Sequence, residues 1–475
     1  MTTHSLFLLL MNLIALRYYA TTTEALATTS SRIAVIGGGA SGIFAAIAAA
    51  QNGHNVTVLE AAAKTLTKVQ ISGGGRCNVM HNASRPVPDL LQQYPRGQRE
   101  LQGLFQKRFR PEECRAWFEQ HGVALKTEAD GRMFPVTDSS QTVMDALLQA
   151  AAQARVKIRT RCRVQTLHKP NNDQPFFVSV VDKSVSDDGV VSECYDAVIL
   201  ATGSMPLGYQ LAESVGHSLV KTVPSLFTLN ADEAVRPGGV LHGLSGVSVP
   251  LGRVSYWPPN TEPVRKKVLH EQEGPLLITH YGLSGPAALR VSAFGARTLA
   301  EHSYKGTLKI HWAPSFGSSV EDIFDQLWSM TTSNPRKTIS TVCPLIRADP
   351  VTGTVTTAIP RRLWSALVQA AGVDEAAVWG GVSKKVVRQL AMQVAECPIT
   401  MTNKGTFKEE FVTAGGVPLK EIDMTRMESK VCPGLFLCGE VINVDGVTGG
   451  FNFLNAWGTG YVAGNAVGES IRQAA

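Results

Sequence analysis

The stretch Ile33-Ala-Val-Ile-Gly-Gly-Gly-Ala-Ser-Gly42 decides how the rest of the chain is read. A β-rich run from Ile33 to Ile36 enters a glycine turn. The Ala-rich segment from Ile43 to Asn52 then has helical composition, and Asn55 to Leu59 is β-rich again. Strand, turn, helix and strand make a βαβ unit. In Gly37-x-Gly39-x-x-Gly42, Gly37 makes the tight bend, Gly39 lets the backbone approach a pyrophosphate, and Gly42 lets helix pack on strand. Ala40 and Ser41 open a helix whose N-terminal amides and dipole favour an anion. Glu60 ends the second strand, about where a carboxylate holds a ribose hydroxyl pair. The unit reads as a dinucleotide site, with a glycine turn for packing alone as the alternative.

A second glycine run lies close by, in which Lys68 leads to Ser72, Gly73, Gly74, Gly75, Arg76, Cys77 and Asn78. Three consecutive glycines cost backbone entropy, and a close ligand is one reason to keep them. They suit the flat ring of a flavin, with Arg76 and Asn78 as donors to its carbonyl edge or to an anionic substrate; a flexible surface loop is the other reading. Cys77 has no neighbouring resolving thiol, which favours packing over redox work.

Near the other end, Leu435 to Cys438 is β-rich and leads through Gly439 to the carboxylate of Glu440. Asp445, Gly449, Gly450, Phe451 and Asn452 follow, and a helix is predicted over Asn455 to Gln473. A second carboxylate after a strand suits a sugar-alcohol hydroxyl, and a second glycine-rich helix start suits the N1/O2 edge of a flavin. The pair favours FAD over NAD. Ala201, Thr202 and Gly203, after the strand Ala197 to Leu200, form a further turn near the dinucleotide. His280 and Glu421 are candidate proton donors for which structural roles are expected. No nucleophile elbow, His-Glu-x-x-His or phosphate loop of the Walker type is found.

The chain has 475 residues, 44% hydrophobic and 18% charged, and two or three domains are expected. The net charge of +6, from 45 basic and 39 acidic residues, is spread along the chain, so a small-molecule substrate is expected and no nucleic-acid partner. The eight cysteines include no Cys-x-x-Cys pair, which argues against a dithiol centre and a thiolate metal site; an even number can pair, but reduced thiols are expected. Residues 1–31, with an apolar run from Leu6 to Leu16 and an Ala25-Leu26-Ala27 cleavage pattern, read as a targeting segment removed on entry to an organelle or the secretory pathway, leaving no stable membrane association. A membrane anchor is the alternative.

Ile71-Ser-Gly-Gly-Gly-Arg-Cys-Asn78, Tyr94-Pro-Arg-Gly97, Asp130-Gly-Arg-Met-Phe-Pro135, Thr279 to Pro286, Thr413 to Val417, Met427 to Lys430, Gly439-Glu440 and Asp445 to Asn452 together resemble the YhiN-like flavoprotein family. The resemblance runs from Arg32 to Gly468. It implies FAD and an α/β fold in which a Rossmann-like FAD-binding domain, 32–205 and 401–475, is split by an inserted β-barrel-like module with a helical subdomain, 206–400. The insert is β-rich over about 206–315 and helical over about 316–400. It also implies an oxidoreductase with NAD(P)H as electron donor and, as for the BaiN relatives, reduction of conjugated C=C bonds in steroid-like acids. Asn443 stands where an Asp is usual and Phe451 where a Tyr is usual. One Gly-x-Gly-x-x-Gly is found, so no separate nicotinamide domain is expected. A flavin-dependent oxidase or dehydrogenase and a non-catalytic FAD-binding protein are the alternatives.

Overall fold

A computed structural model describes residues 30–182, 189–259, 270–341, 343–348, 355–405 and 412–474. The apolar run and cleavage pattern of the N-terminal segment lie outside them. The opening strand, Arg32–Ile36, is the middle one of the five parallel strands in a seven-stranded sheet. It pairs in parallel with Asn55–Leu59 on one side and Ala197–Leu200 on the other; Lys157–Arg159 and Leu435–Leu437 extend these two flanks, also in parallel. Ile422–Asp423 and Glu428–Ser429 complete the sheet as an antiparallel edge. Ile33 to Ile36, Ala197 to Leu200 and Leu435 to Leu437 are almost fully buried, as in a parallel sheet covered on both faces.

The end of the chain does return to this domain. Its closing helix, Phe451–Ala474, packs along the opening helix, Ala40–Gln51. Gly460, Gly464 and Gly468 stand one turn apart on the contact face. A methyl group on them would lie 2.6 Å from Ser41 O, 2.3 Å from Ala45 O and 2.0 Å from His54 Nε2, so side chains there would hold the helices apart. The closing helix starts at Phe451 and not at Asn455, because Gly449 and Gly450 already complete the turn, with φ of 125° and 92°.

The insert has its own core, in which Trp312, Trp364 and Trp379 are almost fully buried. Its antiparallel sheet runs in the order Cys397–Met401, Gly306–His311, Ser248–Trp257, His270–Ile278, Gly282–Ser284, Leu229–Asn230, Asn403–Lys404. Helices Val320–Ser333, Arg361–Ala370 and Lys384–Ala395 pack beside it. The chain crosses between the bodies on two paired strands, Val220–Ser225 and Val412–Gly416. Helix Pro206–Ser214 packs in the first core through Leu211 and Ala212, and the second core begins at Phe227, so the crossings fall near residues 226 and 405 and not at 206 and 400.

Candidate functional site

Three turns leave the same edge of the parallel sheet, following Ile36, Leu200 and Leu437, and each carries residues singled out above. In the first, a methyl on Gly37 would sit 2.5 Å from Ala201 O, and one on Gly42 would sit 1.9 Å from Gly37 O. Gly39, with an ordinary φ of −83°, has nothing within 4 Å of that position. The chain therefore crowds the outer glycines and leaves the middle one open, at a helix start with no side-chain cap bond. That is the form of a pyrophosphate cradle. Glu60 accepts from Gly38 N at 2.6 Å and from Ala62 N at 2.7 Å, holding the turn while keeping lone pairs for ribose hydroxyls.

Ser72, Gly73, Gly74 and Gly75 form one turn of 3-10 helix broken by left-handed φ of 59° and 70° at Gly73 and Gly74. A methyl on Gly73 would meet Phe134, whereas Gly74 and Gly75 face open space. Ser72 Oγ donates to Val69 O at 2.8 Å, and the amide of Asn78, oriented by its partners, donates to Met80 O and accepts from Gly450 N. Asn78 thus joins this loop to the closing helix start. Ala40 opens the first helix, and Ser41 after it lies beneath the third turn; a methyl on Gly439 would meet Ser41 Oγ at 2.4 Å. Glu440 pairs with Lys68 Nζ at 2.9 Å and accepts from Thr413 N at 3.0 Å, while Lys68 also donates to Ser204 at 3.1 Å, beside Thr202 and Gly203. Among the described residues, Thr202 Oγ1 and Asn443 Oδ1 are buried without a hydrogen-bond partner. The open faces of Gly39, Gly74 and Gly75 are what a bound dinucleotide with a flat ring would fill, so the residues present fit FAD.

Several charged and polar candidates are committed within the protein. Arg76 is no free donor. Its guanidinium donates to Glu128 at 2.7 Å and Asp138 at 3.4 Å, and lies 3.9 Å over the Phe134 ring. Cys77 is buried, bonded to Ser72, and burial pushes its thiol up to about 12, which removes the thiolate that redox chemistry needs. Asp445 is fully buried. Arg96 grips both its oxygens and also donates to Ala293 O at 2.9 Å, and Ser225 Oγ donates to Asp445 at 3.1 Å. Burial pushes the Asp445 carboxyl up against the pull of Arg96. Asn452 clasps the glycine turn from within, accepting from Gly446 N and donating to Gly446 O, both at 2.8 Å. His280 is exposed, and Glu421 binds His217 at 2.9 Å and Ser218 at the edge of the first domain. All eight cysteines are unpaired.

The residues that sequence reasoning missed brace the closing turn. Tyr94 donates to Phe451 O at 2.7 Å, and a methyl on Gly97 would meet Val444 at 2.6 Å. His81 stacks on Phe451 with ring centroids 4.7 Å apart, its Nδ1 donating to Gly449 O at 3.1 Å. Burial and Arg85 lower its pKa, against the Gly449 carbonyl, and Nε2 faces Arg85 at 3.4 Å. The Tyr94-Pro-Arg-Gly97 motif was visible in the sequence, but its partners lie some 350 residues away.

A model of the HI0933-like protein Rossmann domain matches residues 31–466. A 3-dehydro-bile acid delta(4,6)-reductase of Clostridium scindens is 29% identical, covering 92% of this chain and 99% of its own. A ribosomal RNA dihydrouridine synthase of Haemophilus influenzae is 26% identical, covering 90% of this chain and 96% of its own. The 3-ketosteroid-delta4-(5alpha)-dehydrogenase of Rhodococcus jostii superposes over 94% of this chain and 99% of its own, with 14% identity and a TM-score of 0.45.

Proposed function

The chain belongs to the HI0933-like Rossmann-domain family and is an FAD-dependent oxidoreductase, and we propose that it uses reduced nicotinamide to reduce a conjugated C=C bond of a small organic acceptor. Bound FAD would supply the hydride-carrying ring. The chain's part is to hold and orient. The Gly39 cradle and Glu60 would hold the pyrophosphate and ribose, the open face of Gly74 and Gly75 would receive the ring, and the closing helix start would offer amides and a dipole to its negative charge. The observation that carries this reading is the meeting of two glycine-headed helix starts with one open glycine face. The reductase relative, matched over nearly its whole length, supports the choice of acceptor.

The insert is read as the acceptor-side wall and as barrel-like, since its two edge strands, Cys397–Met401 and Asn403–Lys404, are separated by Thr402 alone. Residues 1–31 are read as a cleaved targeting segment, which N-terminal sequencing of the protein from its native cells tests. A second reading, favoured by the synthase relative, has a base of ribosomal RNA as the acceptor. The FAD-loaded protein is mixed anaerobically with NADH or NADPH, then with a 3-oxo-4-ene bile acid or a ribosomal RNA transcript. Bleaching by a nicotinamide and recovery with the acid supports the proposal. Recovery with RNA alone replaces the acceptor, and no bleaching by either nicotinamide removes the donor. Among the described residues no helix is long and apolar enough to cross a membrane.

A further inference from the structure

Helices Pro286–Phe294 and Ala296–Glu301 join at Gly295 and lie where the insert meets the first domain. Ala293 O accepts from Arg96, and Ala296 packs with Val223 and Ala414 of the two connecting strands. Arg297 follows Ala296. One nitrogen, Nη1, donates to Lys221 O at 3.4 Å; the other, Nη2, is buried and has no hydrogen-bond partner among the described residues. Among the described residues Arg297 forms no ion pair. A guanidinium carries five donors in a rigid fork, and a buried donor without an acceptor is costly and rare in native folds.

The surrounding charges do not supply that acceptor. Arg96 and Asp445 face Arg297 from the first domain, but Arg96 already holds both oxygens of Asp445. Glu301, on the same helix, is exposed and makes no ion pair with Arg297 within 4 Å. His270, on the neighbouring strand, is bonded to Thr298 Oγ1 at 3.2 Å. A guanidinium with a buried, unpartnered nitrogen therefore stands within electrostatic reach of Asp445, which opens the turn leading to Gly449 and Gly450.

The geometry points to Arg297 as the residue that receives the carboxylate of the acceptor. A carboxylate is planar and matches a guanidinium fork in a way a neutral carbonyl does not. The recessed position between two bodies suits a small organic acid and not a nucleic-acid backbone, whose phosphates need an exposed basic face. This assignment rests on the small-acceptor reading above and adds to it the residue that holds the acceptor's carboxylate.

The FAD-loaded full chain is titrated with a 3-oxo-4-ene bile acid and with its methyl ester, binding being read from the change in the flavin's visible spectrum. Wild type is expected to prefer the acid by at least about tenfold, or about 1.4 kcal/mol. Arg297→Gln is expected to bind acid and ester alike, and Arg297→Lys to keep part of the preference. FAD content checks folding; should Arg297→Gln fail to hold FAD, the acid-to-ester ratio in wild type and Arg297→Lys decides. Equal binding of acid and ester by wild type, or an undiminished preference in either variant, overturns the role of Arg297 and leaves the small-acceptor reading standing. Binding of neither compound by wild type overturns that reading together with this one.

Discussion

Replacing Arg96 by alanine removes both arms of the fork on Asp445 and the bond to Ala293 O. The Asp445 side chain is 0% exposed, and among the described residues the Ser225 hydroxyl remains its one side-chain partner. Breaking a buried pair by removing one member costs about 3–5 kcal/mol, because the other charge stays buried and uncompensated. For a domain of this size that is a fall of roughly 10 °C in Tm. Asp445 is already pushed up by burial, and without Arg96 it rises further. An acid whose folded pKa exceeds its unfolded value, near 3.9, costs stability once the pH passes the unfolded value. The deficit is therefore full at neutral pH and shrinks as the pH falls toward about 4. Asp445→Asn in the Arg96→Ala background removes the charge and should recover much of the loss. Thermal unfolding of the apo-proteins, followed by circular dichroism, avoids the stabilisation that a ligand adds. A loss below about 1 kcal/mol at neutral pH, or no recovery in the double variant, refutes the reasoning, since a pair worth so little is the mark of an exposed bridge.

Two further outcomes are expected. Cys77, buried with its thiol pushed up to about 12, should resist iodoacetamide in the folded protein at neutral pH while the half-buried Cys194 reacts; rapid labelling of Cys77 in mass spectra would show an accessible thiolate instead. His81 has a folded pKa below its unfolded value of about 6.5, so its contribution is present at neutral pH and is lost as the pH falls through that value. The fall of Tm between about pH 7 and 5 should be shallower in His81→Asn than in wild type, and equal slopes would assign the fall to other groups.

The backbone of the site was legible in the sequence and most of its side-chain partnerships were not. Gly37, Gly39 and Gly42 are informative because a missing Cβ answers a local demand: a bend, an open approach or a close packing contact. The return of the chain was legible for the same reason, in the strand and glycine turn before Phe451. The spacing of Gly460, Gly464 and Gly468 was an available signal for the helix contact that went unread. Charged groups behave otherwise. Arg76 finds Glu128 and Asp138, and Lys68 finds Glu440 across 372 residues, and nothing in the spacing of either announces its partner. Asp445 sits in a motif that suits a flavin edge, yet the fold spends both its oxygens on Arg96. The orphaned edge of Arg297 emerged only once the two bodies stood side by side.

The central claim, that the glycine turn at the opening helix is a cradle for FAD, is tested most directly by the affinity of apo-protein for FAD in wild type and Gly39→Ala. Position 39 has an ordinary φ and nothing within 4 Å of an added methyl, so the chain itself has room for alanine. The lost cap preference costs on the order of 0.5–1 kcal/mol at a helix N-terminus. The account predicts an apo-protein Tm within a few degrees of wild type together with a Kd for FAD raised at least about tenfold, the 1.4 kcal/mol of a methyl placed in the path of a pyrophosphate. Equal affinity in the two proteins would contradict it.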